Sequence, residues 1–308
     1  MMRSLSTKRP WVLTGPRYPL RWRTLLCFVD LMYRPAIVGA FYLFSLKGLA
    51  APVPSPCPPA VAKPSQGRSE VYQNTPFKSG ERAIYEVTWA GLKAGDATLE
   101  VRPPRKYRNL WHRVFHLDAK TGDWFKAVFV ARDTAEAVSQ PWDFGIAQFY
   151  MEQDEGKMFG KRFQQKKWLE FDHDKCIVHE RINEPHKPET RVSFELAPGA
   201  NDAMGVVFNL RTQQFVLGKK IRLLVYTSEK NWWLDADPIA YENLDTPMGP
   251  LKTVKMKLQT YIGKDLQQKG DVWAWIAHEH PARPLVQIQG EIKIGSIWIR
   301  LKELILGN

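Results

Sequence analysis

Few residues in this chain have the types and spacing that chemistry demands. His278 and His280 flank Glu279, so a strand would put both imidazoles on one face, which is half of a zinc site. The remaining ligands have no sequence signal, and Pro281 marks a strand end, so solvent-exposed histidines are the plainer reading of a bare HxH. Asp172, His173, Asp174, Cys176 and His179 invite a thiol-protease reading, because a cysteine nucleophile needs an imidazole within hydrogen-bond reach. Three positions along a strand would point Cys176 and His179 to opposite faces, which argues against it. Asp172, Asp174, Glu180 and Glu184 could serve a hydrolase acting on cell-wall material, but nothing in the sequence fixes their separation. Arg211, with Lys219 and Lys220 after it, is an anion-binding candidate for a phosphate or anionic head group. The competing reading sets these cations against the C-terminal end of a helix dipole. No complete catalytic set and no metal site is present, and no cofactor is called for.

Aromatic residues carry more information. Ten of the twelve Trp follow residue 80. In the segment 80–101, GERAIYEVTWAGLKAGDATLEV, the residues Ala83, Tyr85, Val87 and Trp89 alternate with Ile84, Glu86 and Thr88, the pattern of a hairpin arm with an inward apolar face. Gly91 and Gly95 bracket the reversal, where positive φ is expected, and Pro103 and Pro104 are expected to end the return arm. Trp273 and Trp275 likewise share a face, with Trp298 on a neighbouring strand. In a curved sheet Tyr85, Trp89, Trp273, Trp275 and Trp298 either line an apolar cavity fit for acyl chains or fill the interior as packed core.

The elements that must position these residues are mostly strands. Alternating segments are expected at 111–119, 125–138, 148–152, 157–165, 167–172, 176–182, 190–194, 221–227, 240–242, 251–261, 272–277, 285–290 and 292–301. One helix is expected over 202–213, with Asn201 or Asp202 as its cap. The fold class that follows is mainly β, a curved antiparallel sheet or partly closed β-barrel with one short helix.

Outside this region the sequence changes character. Residues 1–50 hold eight Lys/Arg against one acidic residue, so the rest of the chain carries 36 basic and 31 acidic residues. That mild excess does not call for nucleic acid. Met32 and Arg34 precede an apolar run over 35–46 and a small-residue site ending at Ala50, the layout of a secretory signal peptide whose start is expected at Met32. An N-terminal membrane anchor is the alternative. Residues 51–76 read as a Pro-rich tether, and 77–308 as a single β-rich domain. Cys57 follows Pro56, and the third residue before it is Pro54, which disfavours lipidation. With only Cys27, Cys57 and Cys176, a disulfide framework is not indicated, although a Cys57–Cys176 bridge stays open.

Three segments, GERAIYEVTWAGLKAGDATLEV, DAMGVVFNLRTQQFVLGKKIRLLVY and the pair TPMGPLKTVKMKL with VWAWIAHEHPARPLVQIQGEIKIGSIWIRL, together resemble the bacterial family known as domain of unknown function 3108. The resemblance spans 78–303 and matches Leu210, Arg211, Thr246, Pro247 and Gly249; the charged stretch from Tyr150 to Phe194 departs from it. It implies an exported envelope protein on a curved antiparallel sheet, with no established activity. The expectation is then a periplasmic, non-enzymatic binding or scaffolding protein that holds a lipid, a glycolipid or the hydrophobic part of an envelope polymer. The alternative is a structural or interaction module for envelope proteins, peripheral to the membrane at most.

Overall fold

A computed structural model describes residues 67–127, 129–156, 162–267, 270–291 and 295–308; the leader, Cys27, Cys57 and most of the expected tether lie outside the described residues. Among the described residues fifteen strands form one antiparallel sheet. They are β1 (Arg82–Trp89), β2 (Leu92–Tyr107), β3 (Leu110–Thr121), β4 (Val130–Ser139), β5 (Ile146–Gly156), β6 (Arg162–Asp172), β7 (Ile177–Asn183), β8 (Thr190–Glu195), β9 (Ile221–Thr227), β10 (Lys230–Thr246), β11 (Gly249–Ile262), β12 (Asp265–Leu266), β13 (Val272–Ile276), β14 (Leu285–Glu291) and β15 (Ser296–Ile305). The order is β8-β7-β6-β5-β4-β3-β2-β1-β15-β14-β13-β11-β10-β9, with β12 hanging on β11.

The first hairpin alternates as expected: Ala83, Tyr85 and Val87 enter the main core, and Ala97, Leu99 and Val101 answer them from β2. Its turn is the pair Ala90 and Gly91, both at positive φ, which matches the twist of a two-residue hairpin. Gly95 serves differently from the expectation. Its φ is not in the left-handed region; a Cβ there would stand 2.3 Å from the Lys120 carbonyl oxygen, so the residue is small because two backbones meet. Nor do Pro103 and Pro104 end the strand: the register shifts between Arg102 and Arg105, and β2 runs on to Tyr107 through this bulge. Pro238 does the same inside β10, which hides a 17-residue strand where the sequence suggests three residues.

The sheet wraps round the helix α1 (Ala203–Thr212), whose residues 203–211 are all buried. Asp202 caps it, accepting from the Met204 and Gly205 amides. Phe208 stacks on Phe115 of β3 at 3.8 Å and meets Phe77 edge-on at 4.9 Å. Val71 and Tyr72 also lie in this core, so the packed unit begins ahead of residue 77. The two end strands β8 and β9 do not pair. A seam between them is held by residues 195–201: the Ile146 amide donates to Ala200, the Asn201 amide to Leu224, and the Tyr226 amide to Asn201. Asn231 stitches the same seam, its side chain bonding the Ala197 amide and the Glu195 carbonyl. The sheet is therefore curved and barrel-like without being closed. Among the described residues no helix is long and apolar enough to cross a membrane.

Candidate functional site

The five aromatic residues expected to line one apolar interior are not brought together. Tyr85 is buried in the main core and donates its O–H to the Leu285 carbonyl at 3.0 Å; burial pushes its phenol far up. Trp89 meets Phe125 edge-on at 6.1 Å in a small separate cluster with Ala94 and Phe129. On β13, Val272, Ala274 and Ile276 face the main core, so Trp273 and Trp275 face the other way, joined by Trp298 in a third cluster. There Trp275 stacks near Trp298 at 6.3 Å and donates Nε1–H to Glu242 at 2.7 Å. Lys255 covers the Trp275 ring and Arg300 the Trp298 ring.

Arg211 holds an anion, and that anion is the chain's own. Its guanidinium forks onto Glu81 at 2.7 and 2.9 Å, donates to the Ala282 and Arg283 carbonyls, and sits over Phe77 and Phe208; both side chains of the ion pair are 3% exposed. Of the remaining candidates, His280 accepts from the Ala282 amide inside a turn, with burial lowering its pKa, and His278 rests on Tyr241. Cys176 is disulfide-bonded and so offers no thiolate. His173 bridges the Ile146 carbonyl and the Gly199 amide. Asp172 caps the turn by accepting from the Asp174 and Lys175 amides, Glu180 pairs with Lys167, and Glu184 with Lys187, so these three carboxylates serve separate local roles. Among the described residues no three His, Cys, Asp or Glu side chains stand together as a metal site.

What the structure does assemble lies on the face of β4–β8 opposite the core. Cross-strand pairing sets Glu100, His116, Glu136, Tyr150, Trp168, Arg181 and Arg191 in one row across β2 to β8. The inner partners of this row, Ala137, Phe149 and Leu169, belong to the core, which turns the row outward. Around its middle lies an open groove of about 940 Å³, with Arg105 at one side and Arg191 at the other. Tyr150 and Trp168 form its floor, ring centroids 5.4 Å apart and tilted. The Arg181 guanidinium lies 4.2 Å over the Trp168 ring, and Glu189 steadies it at 3.7 Å. At the other end Glu136 takes Arg102 at 3.2 Å and Arg105 at 2.6 Å. The Tyr150 phenol donates to Glu152 at 2.8 Å, and burial first and that carboxylate second push its pKa up to about 12. His179 bonds Ser193 at 2.9 Å along the same wall. A ring-bearing ligand can stack here and meet several cations.

These groove residues carry no motif. Tyr150 and Trp168 sit among charged strands, and only the register brings them side by side.

A comparison with curated proteins finds no match. Among solved structures the chain is similar to a β-barrel-like protein of domain of unknown function 1849 from Brucella abortus, with 10% identity, a TM-score of 0.48, and coverage of 75% of this chain and 99% of that one. A candidate exported protein with a YmcC-like fold from Bacteroides fragilis aligns with 11% identity and a TM-score of 0.31, covering 75% and 98% of the two chains. A candidate lipoprotein from Parabacteroides distasonis aligns with 12% identity and a TM-score of 0.30 over the same shares. The family profile described as Protein of unknown function (DUF3108) matches residues 84–302, from within β1 to within β15. The chain belongs to the DUF3108 family.

Proposed function

We propose that this is an extracytoplasmic binding protein, without enzymatic activity, that holds the sugar portion of an anionic glycolipid or envelope polymer in the β4–β8 groove. The observation that carries the reading is the solvent-open floor of Tyr150 and Trp168 beside Arg105, Arg181 and Arg191. Sugar rings stack on indole faces, and acidic substituents would replace Glu189 or water at the guanidinium groups. The apolar interior is occupied by α1, Phe77, Phe115 and Phe144, which supports a polar rather than an acyl site. Export rests on the leader-like sequence before residue 51.

Native mass spectrometry of gently purified protein, with organic extraction of what travels with it, tests the reading. A stoichiometric glycolipid or acidic oligosaccharide is expected, held roughly 5- to 150-fold more weakly by folded Trp168→Ala on the scale of roughly 1–3 kcal/mol that one base stacked on an aromatic side chain contributes. A clean apo mass that takes up neither envelope glycolipids nor their oligosaccharides would overturn it. So would equal retention by folded Trp168→Ala and Arg181→Ala. Loss of ligand in Trp275→Glu alone would move the site to the Trp275–Trp298 strip.

A further inference from the structure

A second surface lies far from this groove in the strand order, at the other end of the sheet. Between α1 and β9 the chain reads QQFVLGKK over 213–220. Val216 and Leu217 at its tip are 54% and 46% exposed, and Lys219 and Lys220 beside them are exposed too. The loop is fastened to β10 where that strand runs past the end of β9. The Gly218 amide donates to the Pro238 carbonyl at 2.9 Å, and the Tyr241 O–H to the Phe215 carbonyl at 3.1 Å. Those two bonds set Ile239, 45% exposed, and Tyr241, 50% exposed, beside the loop tip. Arg283 backs the loop from beneath, over the Phe215 ring and bonded to the Gln213 carbonyl. Glu279, the carboxylate on the neighbouring 277–284 loop, is taken by Lys252 at 2.9 Å.

We propose that this loop and the bulged stretch of β10 form a membrane foot that docks on an anionic bilayer. Three aliphatic side chains in one small area stand about half exposed, and two lysines follow in sequence, which is the make-up of an interfacial anchor: apolar groups enter the acyl boundary while ammonium groups meet lipid phosphates. Tyr241, with an apolar body and a polar tip, suits the boundary itself. The backbone fastening to Pro238 and Phe215 holds the side chains out before any lipid is met, which lowers the ordering cost of docking. The proposal does not depend on what the groove binds.

Hydrogen exchange of the full chain, read by peptide, with vesicles of phosphatidylcholine alone or mixed with phosphatidylglycerol, tests it. Exchange across 214–220 and 239–242 should slow several-fold with the anionic vesicles, less with the neutral ones, and less again in high salt. Lys219→Glu with Lys220→Glu should remove the difference between the two lipids. Val216→Asp with Leu217→Asp should remove protection altogether while leaving the amides of β4–β8 unchanged, as expected for exposed positions. Reading protection at these peptides separates the foot from any anchoring by the N-terminal segment. Unchanged exchange with both vesicles would overturn the proposal. So would protection that rises with protein concentration in the absence of lipid, which would assign the surface to a second copy.

Discussion

Of the guanidinium groups that lie over aromatic rings, those of Arg211 and Arg181 stand in contrasting surroundings. In the core, Arg211 lies 5.0 Å from the Phe77 centroid and 5.1 Å from that of Phe208, with Glu81 forked against it and two carbonyls completing its shell. In the groove, Arg181 lies 4.2 Å over Trp168, with one carboxylate at 3.7 Å and solvent on the remaining side. The side-chain types are alike and the surroundings decide their use. A fully buried charge must have every partner supplied by the chain, so it is committed to the fold. An exposed one keeps donors for another molecule and adds little to stability.

The largest expected effect tests the core half of that contrast. Glu81→Ala leaves the Arg211 charge buried without its counter-ion, and should cost about 3–5 kcal/mol in urea unfolding. The double change Glu81→Gln with Arg211→Met should recover much of that loss. A cost near zero for Glu81→Ala would mean that the two arginines are equivalent after all.

Next comes Asp202, fully buried at the start of α1, where burial pushes its carboxyl up to about 6 against the amide bonds that favour the charge. The folded chain therefore holds this proton over a range in which the unfolded chain has released it, so the stability this group contributes is present at low pH and lost as pH rises through about 6. Asp202→Asn keeps a capping side chain and removes the titration. Relative to wild type, the variant should gain about 2 kcal/mol between pH 4.5 and 7.5, read as the shift in urea midpoint at the two pH values. Asp133, whose carboxyl is raised by burial against Glu155, titrates in both proteins and cancels in the comparison.

Gly95→Ala comes third. The added methyl meets the Lys120 carbonyl, and the strain of separating β2 from β3 should cost about 1–3 kcal/mol in thermal or urea unfolding. The smallest stability effect belongs to the groove. Arg181→Ala should change unfolding by less than about 1 kcal/mol, because its contacts are exposed. A loss as large as that of Glu81→Ala would make the groove a second structural site and erase the distinction.

Much of the fold was legible because alternation has a physical period. β9 falls at the expected 221–227, and α1 was findable because Asp202 and its neighbours announce a cap before Met204, Val207, Phe208 and Arg211. Strands broken by proline were not legible: Pro103, Pro104 and Pro238 sit in bulges, which sequence cannot tell from strand ends. The site was less legible still. Trp275 and Tyr85 both alternate correctly within their strands, yet face opposite sides of the sheet, because which face is inner depends on the path of the whole sheet. The partner of Arg211 is 130 residues away in sequence, and the row of Tyr150, Trp168 and Arg181 exists only through two registers.

The ladder between β1 and β15 has one more consequence. Every other neighbour in the sheet path is adjacent in sequence or separated only by the two-residue β12. The Asn308 amide meets the Ser79 carbonyl at 3.1 Å, so the two ends of the sheet-forming chain lie side by side. The connectivity is that of a necklace with its clasp at β1 and β15. Each half can zip up hairpin by hairpin with short loop closures, and among the described strand pairings the clasp is the one that must bring distant sequence together. A circular permutant with a linker from Asn308 to the segment ahead of Val71, opened at the turn between β10 and β11, would keep the core and every ladder, leave β1 and β15 one short connection apart, and move the distant closure to β10 and β11.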